Sequence, residues 1–191
     1  MLTRRIFLQS TALVLTLPAG RGVRAAIPTD AARIRVISDL SCSDGRRFHR
    51  GLATPAVRVG VDEGAYLQGV AADLNRHAVD YLLGLTQNSD FILLRQSLYE
   101  SGFRMIYQGQ HHYEEDVIRH SFQADSPLLE ELTAGLAADQ RPWSRFLAET
   151  VPHWLQSRGP EDDAFITTPG RRPADSRGFL LSWAFARERT A

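Results

Sequence analysis

A three-layer α/β sandwich on a mostly parallel sheet of about six strands is the fold class this sequence predicts, on three observations. Short apolar or β-branched runs alternate with helix-period segments at least three times along the chain. One of those runs, Tyr81-Leu82-Leu83-Gly84-Leu85, is apolar without alternation, the mark of a strand covered on both faces. Each helical pattern then returns to a buried strand, which is how βαβ units lay down a parallel sheet.

The elements follow in order. Arg33 to Ser38 is a β-branched run ending at Asp39, hence a strand, and Ser41 to Asp44 read as turn and cap residues. Arg46 to Leu52 form a short helix with Phe48 and Leu52 at i, i+4, and Ala56 to Gly60 a second short strand. Tyr66 to Val79 is helical, because Leu67, Val70, Ala71, Leu74 and Ala78 make one stripe. After the strand at Tyr81–Leu85, Thr86 to Ser89 cap a helix that begins near Asp90, points Phe91, Leu94 and Leu98 inward and stops at Gly102. Phe103 to Gln110 and Val117 to Phe122 are strands joined by a turn at Glu114-Glu115-Asp116, an antiparallel pair expected at the sheet edge. Ser126-Pro127 opens the next helix, where the missing proline N–H costs nothing. A last amphipathic helix puts Trp143, Phe146, Leu147, Val151, Trp154 and Leu155 on one face, with Pro152 as an expected kink. Gly159 to Arg177 reads as irregular, and Gly178 to Phe185 closes the chain as an apolar strand. The outline is that of a flavodoxin-like or Rossmann-like sandwich.

The first 25 residues carry a different message. Arg4-Arg5 precede Ile6-Phe7-Leu8, an uncharged run extends from Ser10 to Leu17, and Val23-Arg24-Ala25 ends in the small residues a signal peptidase requires. Paired arginines before Phe7 and Leu8 in this order are a twin-arginine (Tat) export signal, an address rather than an anchor. The apolar run is too short to span a bilayer, and Arg21 and Arg24 beside the cut disfavour the Sec route. Cleavage is expected between Ala25 and Ala26, leaving residues 26–191 as a single α/β domain in the periplasm, with no membrane attachment and the Tat translocase as its partner during export.

Composition narrows the function. Without residues 1–25, which hold four arginines and no acid, 18 basic residues face 22 acidic ones, a net charge of −4. Such a balance speaks against nucleic acid or an anionic membrane as partner. The single cysteine, Cys42, allows no internal disulfide and no cysteine-rich metal cluster. Gly-x-Gly-x-x-Gly, a P-loop and Gly-x-Ser-x-Gly are all missing, so no cofactor is identified from motif. The leader, Gly84-Leu85-Thr86 before a capped helix, and the closing apolar strand together resemble uncharacterised Tat-exported α/β proteins of Gram-negative bacteria, a resemblance that implies the fold and the compartment but no activity.

In parallel sheets, ligands sit beyond the carboxyl ends of the strands. Three loops are expected there, and their chemistry-bearing residues are Asp39, Ser41 and Ser43, then Thr86 and Asn88, then His111 and His112. These seven should share one cleft suited to a small polar or anionic ligand, with helix N-termini supplying amides. Turns and caps use the same residue types, so a purely local role competes with this reading. A divalent metal is a further option: a four-residue hairpin loop would make His111 and His120 diagonal neighbours, with Glu114 near enough to complete a site. Two functions follow: a ligand-binding or partner-escorting accessory protein, or a small metal-assisted hydrolase built on His111 and His120.

Overall fold

The computed structural model describes residues 33–52, 57–61, 70, 74, 78–115, 117–138, 141–157, 163–171, 173–176 and 178–188. The stretch expected to be an export signal, with its expected cleavage site, lies outside the described residues. So does most of the expected 66–79 helix, of which Val70 and Leu74 are described as helical and buried.

The elements bounded among the described residues follow one another as β1 (Ile34–Asp39), α1 (Ser43–Gly51), β2 (Val57–Val61), β3 (Tyr81–Gln87), α2 (Asn88–Glu100), β4 (Phe103–Glu114), β5 (Val117–Asp125), α3 (Ser126–Ala138), α4 (Trp143–Ser157), β6 (Asp163–Arg171) and β7 (Phe179–Arg187). The strands form one sheet in the order β2-β1-β3-β7-β4-β5-β6. Parallel pairing joins only β1 to β2 and β1 to β3, and every other pair is antiparallel.

The expectation of a mostly parallel, flavodoxin-like or Rossmann-like sandwich is therefore overturned: the sheet is mixed and mostly antiparallel. The physical reason lies in β7. Its continuous apolar run announces burial on both faces, and burial carries no information about direction. The strand enters the middle of the sheet, between β3 and β4, and runs against both. As a result, residues 103–109 are not the neighbours of 81–85. The β4–β5 hairpin is also no edge ornament, because β6 extends it. That strand fills part of the 159–177 stretch read as irregular, where Pro169 and Gly170 mask the pattern.

Two cores lie on opposite faces. Ile34, Val36, Leu83, Leu85, Tyr107, Ile118, Phe122 and Leu180 pack with α1, α3 and α4. Ile37, Leu82, Phe103, Leu181, Trp183 and Phe185 pack with Val70, Leu74 and the Phe91, Leu94 and Leu98 side of α2. Side chains alternate along each strand, except at a break in register between Met105 and Tyr107. This bulge moves the odd-numbered side chains of β4 from the α2 face, where Phe103 and Met105 lie, to the α4 face, where Tyr107 lies.

Gly84 illustrates how tightly β3 and β7 are joined. It pairs with Trp183, and a Cβ at this position would stand 2.1 Å from the indole ring. Gly84→Ala should therefore cost about 1–3 kcal/mol through overpacking, measured as a lower urea midpoint. An unchanged midpoint would mean that the indole can move aside.

Candidate functional site

The connection from β1 leads to α1 on one face, and that from β3 leads to α2 on the other. A crevice between the carboxyl ends of two adjacent parallel strands follows from that divergence. Asp39 sits there, only 2% exposed, at the end of β1. Its Oδ1 accepts from the Ser41 N–H at 2.8 Å and from Ser41 Oγ at 2.5 Å, and its Oδ2 accepts from Gln87 Nε2 at 2.9 Å. Asp90, in the first turn of α2, has its carboxyl raised above the usual range, chiefly by burial and then by the charge on Asp39. The crevice floor is acidic, not the electropositive anion cradle expected of two helix N-termini.

Beside it, Cys42 caps α1, its Sγ accepting from the Gly45 N–H at 3.2 Å. Burial pushes the thiol above its ordinary pKa, with Asp39 and Asp44 adding to the rise against the Gly45 bond. A nucleophilic thiolate is disfavoured by that arrangement. Asp44, 1% exposed, gathers four donors: Tyr113 OH at 2.8 Å, Ser144 Oγ at 3.0 Å, Arg47 Nη1 at 3.2 Å and Ser176 Oγ. Arg47 also grips Asp175 with Nη2, at 2.5 and 2.6 Å, and Ser43 Oγ donates to the Asp175 carbonyl at 2.8 Å. One carboxylate thus ties α1, β4, α4 and the 173–176 segment together.

The seven expected ligand residues lie along one edge of the sheet, since Leu180 pairs with Gln87 on one side and His111 on the other. They do not line one cleft. Asp39 and Ser41 meet, joined by Gln87, which the sequence reading missed because a glutamine at a strand end has no pattern of its own. Ser43 turns to Asp175, and Asn88 is the exposed first residue of α2, whose cap is Gln87 without a side-chain bond, not Ser89. Thr86 is buried on the α2 face, where its Oγ1 accepts from Trp183 Nε1 at 3.1 Å. His112 is exposed and stands 3.6 Å from Glu114. His111 points to the opposite face and is sealed beneath α4.

His111 belongs to a second constellation. The β4–β5 turn is tighter than expected, with Glu114 paired to Val117 and Glu115 at φ 40°. His111 consequently faces His120 directly rather than diagonally, and their Nδ1 atoms are 2.7 Å apart. On its other side, His111 Nε2 shares a 2.8 Å hydrogen bond with Ser182 Oγ, which shares one of 2.6 Å with Tyr107 OH. Trp143 stacks over His111 with ring centroids 4.2 Å apart. Two nitrogens on a tetrahedral zinc would stand roughly 3.3 Å apart. A 2.7 Å contact is instead an N–H···N hydrogen bond. Glu114 is half-buried on the other face, held below the usual carboxylate range by Arg119 at 2.8 Å and then by His112. The structure therefore does not bring Glu114 to the His111–His120 pair. Among the described residues no group of three or more His, Cys, Asp or Glu is placed to hold a metal ion.

Among the described residues no helix is long and apolar enough to cross a membrane. Comparison of the chain with protein-family models, curated proteins and solved structures finds no match.

Proposed function

We propose that the chain is an exported accessory protein of the periplasm, carried by the Tat translocase and engaging a partner subunit through the outer face of α2. The carrying observation is the exposure of Ile92 (53%), Leu93 (60%) and Tyr99 (46%) on that helix, while Phe91, Leu94 and Leu98 fill the core on its other side. Ile92 and Tyr99 lie two turns apart on one line, with Leu93 beside them. Apolar side chains grouped on a solvent face, unlike ones scattered singly, suit a docking surface. The burial of His111 and His120, both 0% exposed, supports a non-catalytic role for that pair. A second reading rests on the β1–β3 crevice, where Asp39 and Asp90 favour a small cationic or amine ligand over an anion.

The test compares periplasmic proteomes of three strains: wild type, Arg4→Lys/Arg5→Lys, and Ile92→Glu/Leu93→Glu. The lysine pair should keep the full-length chain in the cytoplasm, and a partner lacking its own signal should stay with it. The α2 variant should reach the periplasm at the wild-type level, beginning at Ala26, but without that partner. Undiminished export of the lysine variant would remove the Tat reading. Identical partner content in the α2 strain would remove the accessory one.

A further inference from the structure

The His111–His120 pair is the largest buried titratable feature that the proposed function leaves unused. Both rings are fully buried in the α4-side core. Four ring nitrogens are present, and their bonding is lopsided: the two Nδ1 atoms share one proton, His111 Nε2 is taken by Ser182, and His120 Nε2 is buried with no hydrogen-bond partner. Gly170 of β6 packs against that last nitrogen so closely that a Cβ there would lie 2.4 Å from it.

We propose that this pair is an acid-sensitive latch: while neutral it holds Trp143, and with it the first turn of α4, against the sheet, and proton uptake releases that turn. Where His120 Nδ1 is the donor, the first added proton has one place to go, His120 Nε2, and makes a buried N–H against Gly170 with no acceptor. Where His111 Nδ1 is the donor, that N–H is already there and the proton goes to His111 Nε2, turning the Ser182 hydroxyl into an acceptor. A second makes both Nδ1 atoms donors and breaks the bond between the strands. Trp143 stacks on both rings, with centroids 4.2 and 5.3 Å away, so it is the first neighbour to lose its support. The next residue, Ser144, anchors the same turn to Asp44.

Among the described residues, the groups facing the pair offer no compensation. From β4, Tyr107 reaches His111 only through Ser182, and burial raises its phenol well above the ordinary range. The strands β5, β6 and β7 present Phe122, Thr168, Gly170 and Ser182. From α4 comes Trp143. Asp44 on α1 connects through Tyr113 and Ser144 and already serves four donors. Both histidines are accordingly held below the usual imidazole range by burial, His111 further by His120, and His120 down to about 3. Because the folded values lie below the unfolded one near 6.5, the unfolded chain binds the extra protons. Stability is complete above that pH and falls as pH drops toward 3.

The experiment follows urea unfolding and amide exchange of the full chain between pH 7.5 and 4.5. Two protons taken up on opening raise the unfolding constant about a hundredfold per pH unit below 6. In His120→Asn, which keeps a polar group opposite His111 Nδ1, the dependence should drop by about tenfold per unit. Amides of α4's first turn should show lower protection factors, corrected for the intrinsic exchange rate, at pH 5 than at pH 7, ahead of those in β1 and β3. Equal slopes in wild type and variant would overturn the proposal, as would simultaneous loss of protection throughout the sheet. Should the variant not fold, nitrogen-15 spectra of the wild-type imidazoles decide: either ring titrating near 6.5 in the folded state ends the latch.

Discussion

Leu83→Asp should leave the domain unfolded or nearly so at neutral pH. Leu83 is wholly buried at the centre of β3, bonded to β1 on one side and β7 on the other, with its side chain in the α1–α4 core. Removing a buried leucine alone costs about 2–5 kcal/mol. An aspartate adds a carboxyl group in apolar surroundings, which costs several more, whether as an unpaired charge or as an acid forced to stay protonated. The sum rivals the roughly 5–15 kcal/mol that holds a domain together. Far-ultraviolet circular dichroism and a urea titration measure it directly. Leu93→Asp is the matched control, because Leu93 points outward from α2, and it should shift stability by no more than about 0.5 kcal/mol. A Leu83→Asp variant melting close to wild type would contradict the position of β3 between two covered faces.

Asp44→Ala should be the most damaging change among the polar residues, at about 3–5 kcal/mol. Three hydroxyls and a guanidinium lose their acceptor at once, and three of those donors come from separate elements: Tyr113 from β4, Ser144 from α4 and Ser176 from the 173–176 segment. Arg47 suffers least, since it keeps its paired contacts with Asp175 and is partly exposed. Asp44→Asn keeps one acceptor oxygen and the shape, so about half of the loss should be recovered. Thermal unfolding of the two variants separates a lost network from a lost charge. Equal melting temperatures for wild type and Asp44→Ala would show that the hydroxyls find other partners.

Local features of this chain were legible because each follows from nearby residues. The strand at 34–39, the buried run at 81–85, the helix ended by Gly102 at φ 72° and the helix opened by Ser126-Pro127 all stand where their patterns put them. Boundaries were less legible, because caps compete: within the expected cap stretches 41–44 and 86–89, Cys42 and Gln87 are the residues that precede the helices. At the candidate site, Asp39 and Ser41 could be read as neighbours because a single residue separates them. Gln87 and Asp90 join them only because β3 pairs with β1. The geometry expected of His111, His120 and Glu114 changed because the hairpin loop is two residues shorter than assumed, which sets the two histidines directly opposite and pairs Glu114 with Val117.

Local pattern by itself determined most of the strands and helices, β6 excepted, and which side chains are apolar enough to form a core. Periodicity and composition are properties of neighbouring residues, and they need no partner to be visible. Strand direction, strand order and the meeting of His111, His120, Ser182 and Trp143 were decided by the tertiary structure alone. An apolar strand gains the same burial whichever way it runs. What places β7 antiparallel in the centre is its fit to both neighbours at once, with Gly84 opening room for Trp183 on one side and Gly109 for Ser182 on the other. Those contacts span roughly 70 to 100 residues of chain, and no local pattern encodes them.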